Sequence, residues 1–201
     1  MAGDASSPTA LGFRAHTGWA AVVGLTGPAA APVVVCRHRL VLVPDGVPAD
    51  LYHIARRHDS AAAAELVRAG TEAVTAAAAG RLCEVLAEQT AAGRQVVTCS
   101  VLVGTARLPA SLEAILASHA LLHTAEGVLF REALLDAGQA SGLRVAAIPE
   151  REVWHLAAAA LGLEPDVLAE RVLELGRAMG PPWGQDQKTA AVAAWMALAT
   201  R

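Results

Sequence analysis

The chain has 201 residues, 54% of them hydrophobic and 17% charged, and a formal net charge of −3. That composition excludes a disordered chain, and the length suits one domain with a full core better than two. The near-neutral balance, with no basic block, shows no strong electrostatic footprint for nucleic acid, which weakens such a role without excluding it.

Alanine supplies much of the apolar fraction. It favours helices and carries little apolar area, so it predicts tightly packed helices and no membrane span. Residues 1–9 read as a disordered N-terminus. They carry Asp4 and no basic segment ahead of an apolar one, unlike a signal peptide, so a cytoplasmic location is expected. Residues 10–13 and 19–25 then read as two short strands around a turn of Arg14, Ala15, His16, Thr17 and Gly18. After Gly27 and Pro28, the β-branched run 32–43 makes a third strand, and three consecutive strands suggest a meander.

Residues 44–58, with Pro44, Gly46 and Pro48, read as a loop or short irregular helix. Asp59 and Ser60 cap an alanine-rich helix reaching about residue 92, where Gly93 stops it. The valine-rich stretch 95–103 fits a strand buried on both faces. Pro109 and Ser111 open a helix running to about residue 140, ended by Gly142, and 143–148 makes a fifth strand. Helices over 150–161, 165–179 and 186–200 complete the chain. Cys36, Cys83 and Cys99 are odd in number and far apart, which fits no disulfide framework, so all three are expected in the core. Lys188 is the only lysine.

This order, with His16-Thr-Gly-Trp-Ala20 near the start and Gly142-Leu-Arg-Val-Ala-Ala-Ile-Pro149 before the last helices, resembles the RNase H-like superfamily and, within it, the RuvC-type resolvases. The resemblance covers most of the chain. It implies a single RNase H-like domain over 1–201: a mixed five-stranded sheet, antiparallel meander plus two parallel strands, flanked by helices. It also implies hydrolase (nuclease) chemistry, a nucleic-acid or nucleotide partner and divalent metal held by carboxylates. The family's first Asp falls at Phe13 or Arg14 here, and its second acid at Thr98, Cys99 or Ser100. In the last helix Asp186 matches the first of two acids, and Thr189 stands where the second would be. One carboxylate of four matches, whereas two-metal cleavage needs several around two cations.

At about 100° per residue, the helix over 111–140 places His119, His123 and Glu126 on one arc with Leu122, Phe130 and Leu134, and Thr124 and Arg131 opposite. Buried polar groups need partners, since each unpaired one costs on the order of 1–3 kcal/mol. Three arrangements answer this. One is a closed network of His and Glu. Another is a metal site of His119, His123 and Glu126, with a fourth group such as His16 or Asp186. The last is acid–base catalysis by His119 or His123 with Glu126 as orienter.

Arg14, His16 and Thr17 read either as a receptor for phosphate or carboxylate or as a solvated turn. Asp186 and Lys188 open the last helix, either as ordinary first-turn residues or facing the same edge as His16. Trp154 with His155, and Trp183, suit stacking on a base or plain packing. The alanine runs of 61–79 offer a close-packing surface and a homodimer face. Three functions stand open. The first is a divergent RuvC-like protein binding nucleic acid or a nucleotide-like ligand without nuclease activity, through Arg14, His16, Glu126, Asp186 and Lys188. The others are a metal-dependent hydrolase built on His119, His123 and Glu126, and a structural or interaction protein.

Overall fold

The computed structural model describes residues 8–200. Strand β1 (Pro8–His16) turns at Thr17 and Gly18 into β2 (Trp19–Thr26), and β3 (Val33–Val41) completes an antiparallel meander. Gly18 sits at φ +84°, a conformation that a Cβ makes costly, which lets the turn close in two residues. The short α1 (Leu51–Ala55) precedes the long α2 (Ser60–Ala91). Asp59 caps α2, its carboxylate accepting from the Ala61 and Ala62 N–H groups.

Strand β4 (Gln95–Val103) pairs parallel with β1. Helices α3 (Leu112–Ala117) and α4 (His119–Ala140) lead to β5 (Arg144–Pro149), parallel to β4. Helices α5 (Val153–Leu161), α6 (Pro165–Met179) and α7 (Gln185–Ala199) follow. The strand order β3-β2-β1-β4-β5 is the mixed five-stranded α/β sheet expected from the sequence.

Helices cover both faces of the sheet, which is why the central strands read as near-continuous apolar runs. Leu11, Phe13 and Ala15 pack with α2 and α4 around Leu82, Phe130 and Leu134. Alternate residues of β1 face the other way, onto α7, where Ala10 joins a second core with Leu168, Val172 and Trp195. There the backbone of α7 rests directly on Gly12. A Cβ at Gly12 would lie 2.6 Å from the Ala194 nitrogen and closer still to the Ala190 carbonyl. The Trp195 Nε1–H donates to the Ala29 carbonyl at 2.8 Å and pins the far end of α7.

Three expectations need correction. The helix expected over 111–140 is broken, because Ser118 is extended (φ −117°, ψ 120°) and ends α3. Ser118 then supplies the carbonyl that accepts from Leu122 N–H as α4 begins. Serine competes well for backbone groups outside a helix, and apolar periodicity does not register that competition. Pro8 and Thr9 belong to β1, and the remainder of the expected disordered N-terminus lies outside the described residues. Cys36 and Cys99 are buried, and burial pushes both thiols up to about 12. Cys83 is exposed, since it lies off the buried row of Val74, Ala78, Leu82 and Val85 on α2. No helix among the described residues is long and apolar enough to cross a membrane.

Gly12→Ala forces α7 away from β1 and lowers stability in denaturant unfolding by about 1–3 kcal/mol or more. The control Gly80→Ala, at a helix position with nothing within 4 Å, raises it by about 0.5–1 kcal/mol. Iodoacetamide labels Cys83 in the native protein, and Cys36 and Cys99 only after denaturation.

Candidate functional site

The contact of α7 with Gly12 assembles the first cluster. Asp186 stands one turn before Ala190, while Arg14 and His16 follow Gly12 on the same face of β1, so the acid comes down onto the two bases. The Arg14 Nη1 donates to Asp186 Oδ1, and His16 Nε2 lies 2.9 Å from the same oxygen. Arg14 also donates through Nε and Nη2 to Glu150 Oε1, at 2.9 and 2.7 Å. The His16 ring stacks on Trp19 at 4.3 Å between centroids, and the Arg39 guanidinium lies 3.5 Å from the Trp19 ring on its face.

Arg14 and His16 are therefore strand residues and not turn residues, contrary to expectation, and only Thr17 and Gly18 form the turn. Of the two positions matched to the family's first acid, Arg14 faces α7 and Phe13 is buried in the opposite core. On β4, Thr98 donates to the Arg144 carbonyl, Ser100 is buried opposite Gly12, and Cys99 packs in the other core. Thr189 donates to the Gln185 carbonyl within α7. The residues do not fit a two-cation carboxylate site, because a guanidinium stands between the two acids of this edge and already occupies an oxygen of each.

The second cluster surrounds Glu126, which is 2% exposed. Its partner is His53 of α1, whose Nδ1 lies 2.7 Å from Glu126 Oε1 and whose backbone N–H approaches the same oxygen at 3.4 Å. Burial, then the nearby Glu126 carboxylate, push the adjacent Tyr52 phenol up. His119 and His123 are exposed, which corrects the buried stripe of three. The break at Ser118 makes His119 the first residue of α4, and His123 lies at the edge of the buried arc. One imidazole nitrogen from each of His53, His119 and His123 lies within 4.8 Å of the others. Glu126 is engaged by His53, so His53 and not Glu126 completes the set with His119 and His123, and His16 and Asp186 belong to the other cluster.

His53 escaped the sequence reading because it falls in a segment read as a loop or short irregular helix, 73 residues from its partner. The one local signal was Leu51 and Ala55, spaced to bury one face of a short helix. Glu150, one residue past β5, was read as the start of a helix that begins only at Val153, and it lies 136 residues from Arg14.

A cleft of about 550 Å³ opens between the clusters, walled by His123, Gly127 and Arg131 of α4, the segment 103–106, Glu150 and Arg151. The sequence placed Arg131 on the solvent face. It instead lies over Gly127, where a Cβ would be 2.9 Å from its Nη1, and its Nε is buried with no hydrogen-bond partner among the described residues.

Lys188 is not part of either cluster and lines a groove with Gly176, Arg177 and Trp183, since two residues along a helix from Asp186 is nearly the opposite side. Thr17 is exposed at the hairpin tip. Trp183 donates to the Val172 carbonyl at 3.0 Å and Trp154 packs against the second core, so both serve packing, while His155 is exposed.

No family model and no curated protein sequence matches the chain. Among solved structures, it is similar to Thermus thermophilus RuvC in complex with Holliday junction substrate, at 13% identity and a TM-score of 0.54, covering 94% of this chain and 90% of that one. A second Thermus thermophilus RuvC structure matches at 12% identity and a TM-score of 0.53, covering 94% and 92%. At such identities the likeness shows the fold: the chain has the RuvC-type, RNase H-like α/β architecture.

Proposed function

We propose that the chain binds nucleic acid, or a nucleotide-like ligand, through its RuvC-like edge and does not cut it by the two-metal carboxylate route. The observation that carries this reading is Arg14, a fixed cation at one of the two positions matched to the family's first acid, held between Asp186 and Glu150. Two cations brought there would meet a guanidinium and compete with it for the same carboxylate oxygens. Binding is supported by the adjoining cleft, where Arg131 and Arg151 provide guanidinium donors of the kind that grip phosphate. The buried, unpartnered Nε of Arg131 gains from an anionic acceptor. The stack of His16, Trp19 and Arg39 is a suitable platform for a base. A net charge of −3 gives little overall attraction to a polyanion, so contact is local and affinity modest.

Fluorescence anisotropy with branched, duplex and single-stranded oligonucleotides tests the binding. Arg131→Ala and Arg151→Ala each weaken it about tenfold at low salt, and the double variant flattens the salt dependence by roughly two phosphate contacts. No saturable binding to any of these would overturn the reading. With Mg²⁺ or Mn²⁺, product formation is expected at the level of Asp186→Asn; cleavage that this substitution abolishes would restore the family mechanism.

The Arg14 cluster also has a structural signature. Arg14→Ala leaves two neighbouring carboxylates without their shared cation and costs about 1–3 kcal/mol in denaturant unfolding. Arg14→Ala with Asp186→Ala costs less than the sum of the two single losses, since both remove one interaction.

A further inference from the structure

We propose that His53, His119 and His123 form a site for one divalent transition-metal cation, of which zinc is the first expectation, with Glu126 as the residue that positions His53. The proposal does not rest on nucleic-acid binding, because none of these side chains belongs to the Arg14 cluster.

The argument starts at the buried carboxylate. Glu126 accepts from His53 Nδ1 at 2.7 Å, which fixes the ring and its tautomer and leaves the lone pair on Nε2. A carboxylate behind an imidazole in this way is the usual support of a metal-ligating histidine, and it raises the basicity of the far nitrogen. His119 and His123 are one turn apart on α4, and their Nε2 atoms lie 3.3 Å from each other. Two nitrogens bound to tetrahedral zinc at about 2.0–2.1 Å are separated by about 3.3–3.4 Å, so this pair already has the spacing of two ligands on one ion. A ring nitrogen of His53 lies within 4.8 Å of one from each of these two histidines, a gap that small rotations of the rings close.

The donor set decides the ion. Three neutral imidazoles suit zinc, copper or nickel, whereas magnesium and calcium require oxygen ligands. Three protein ligands leave a fourth position for water or an anionic oxygen, as in metal sites that bind or activate a ligand and unlike closed structural ones. His123 also lines the cleft holding Arg131 and Arg151, so an anion there lies beside the ion. Exposure of His119 and His123 gives the metal a path from solvent, while the orienting carboxylate stays dry.

The full chain, stripped with chelator, is titrated with Zn²⁺ against a chromogenic chelator and with Co²⁺ read by visible absorption. One equivalent is expected to bind, with the intense visible bands of tetrahedral Co²⁺, and excess Mg²⁺ does not displace it. His119→Ala and His123→Ala, at exposed positions that leave the fold intact by circular dichroism, each abolish the bands. Glu126→Gln keeps the one-to-one stoichiometry and lowers affinity about 10–100-fold. Absence of saturable binding, or one-to-one binding that survives both histidine substitutions, overturns the site. Should Glu126→Gln disturb the fold, His53→Ala replaces it, and binding of undiminished affinity in that variant overturns the assignment of His53 and its carboxylate.

Discussion

The close seating of α7 on Gly12 is the constraint from which the rest of one face follows. A helix backbone reaches a strand backbone only where side chains are absent, and here Gly12 on β1 meets Ala190 and Ala194 on α7. The alanine run that makes α7 look featureless is what permits this approach. Once Ala190 is set over Gly12, the positions one turn back on the helix and two and four residues on along the strand are no longer free. Asp186 must meet Arg14 and His16, and their charges must be complementary for the seating to be stable. The polar cluster and the apolar contact are two ends of one docking event.

The other face is organised by a different cost. Glu126 is inside, and a buried carboxylate without a partner is too expensive for a domain whose total stability is about 5–15 kcal/mol. His53 supplies the partner, which ties α1 across to α4 and fixes where the loop between β3 and α2 lies. The imidazole is half in the core and half out of it. Its Nδ1 meets the carboxylate, and its ring lies 5.3 and 4.6 Å, centroid to centroid, from those of His119 and His123.

The architecture was legible because most of it is local. Valine-rich and β-branched runs marked the strands, Asp59 marked the start of α2, and Gly93 and Gly142, both at positive φ, marked the ends of α2 and α4. The candidate sites were legible only in part. Arg14, His16, Asp186, His119, His123 and Glu126 could be named from residue type and position. Their grouping could not, because it depends on which strand face meets which helix and on partners 73 to 172 residues away. A helical wheel drawn through Ser118 merged two helices and gave both histidines a burial that belongs to Glu126 alone. His53 lies in a segment without long periodicity and Glu150 at the edge of an expected helix, where no pattern announces a contact.

The two clusters bear on metal choice in opposite senses. At the RuvC-like edge, carboxylate oxygens are the natural ligands of hard cations, yet Arg14 already spends two hydrogen bonds on Glu150 and one on Asp186. A cation displacing that guanidinium would leave it partly buried and unpaired, which opposes metal binding there beyond the loss of one carboxylate. At the α1–α4 junction Glu126 is engaged by His53, and the groups brought together beside it are imidazoles. Softer nitrogen ligands replace hard oxygen ligands, and the preference moves from magnesium toward zinc. The cleft lies between these regions with arginine donors on its wall, so an anion bound there is bordered on one side by Glu150, held by Arg14, and on the other by His123.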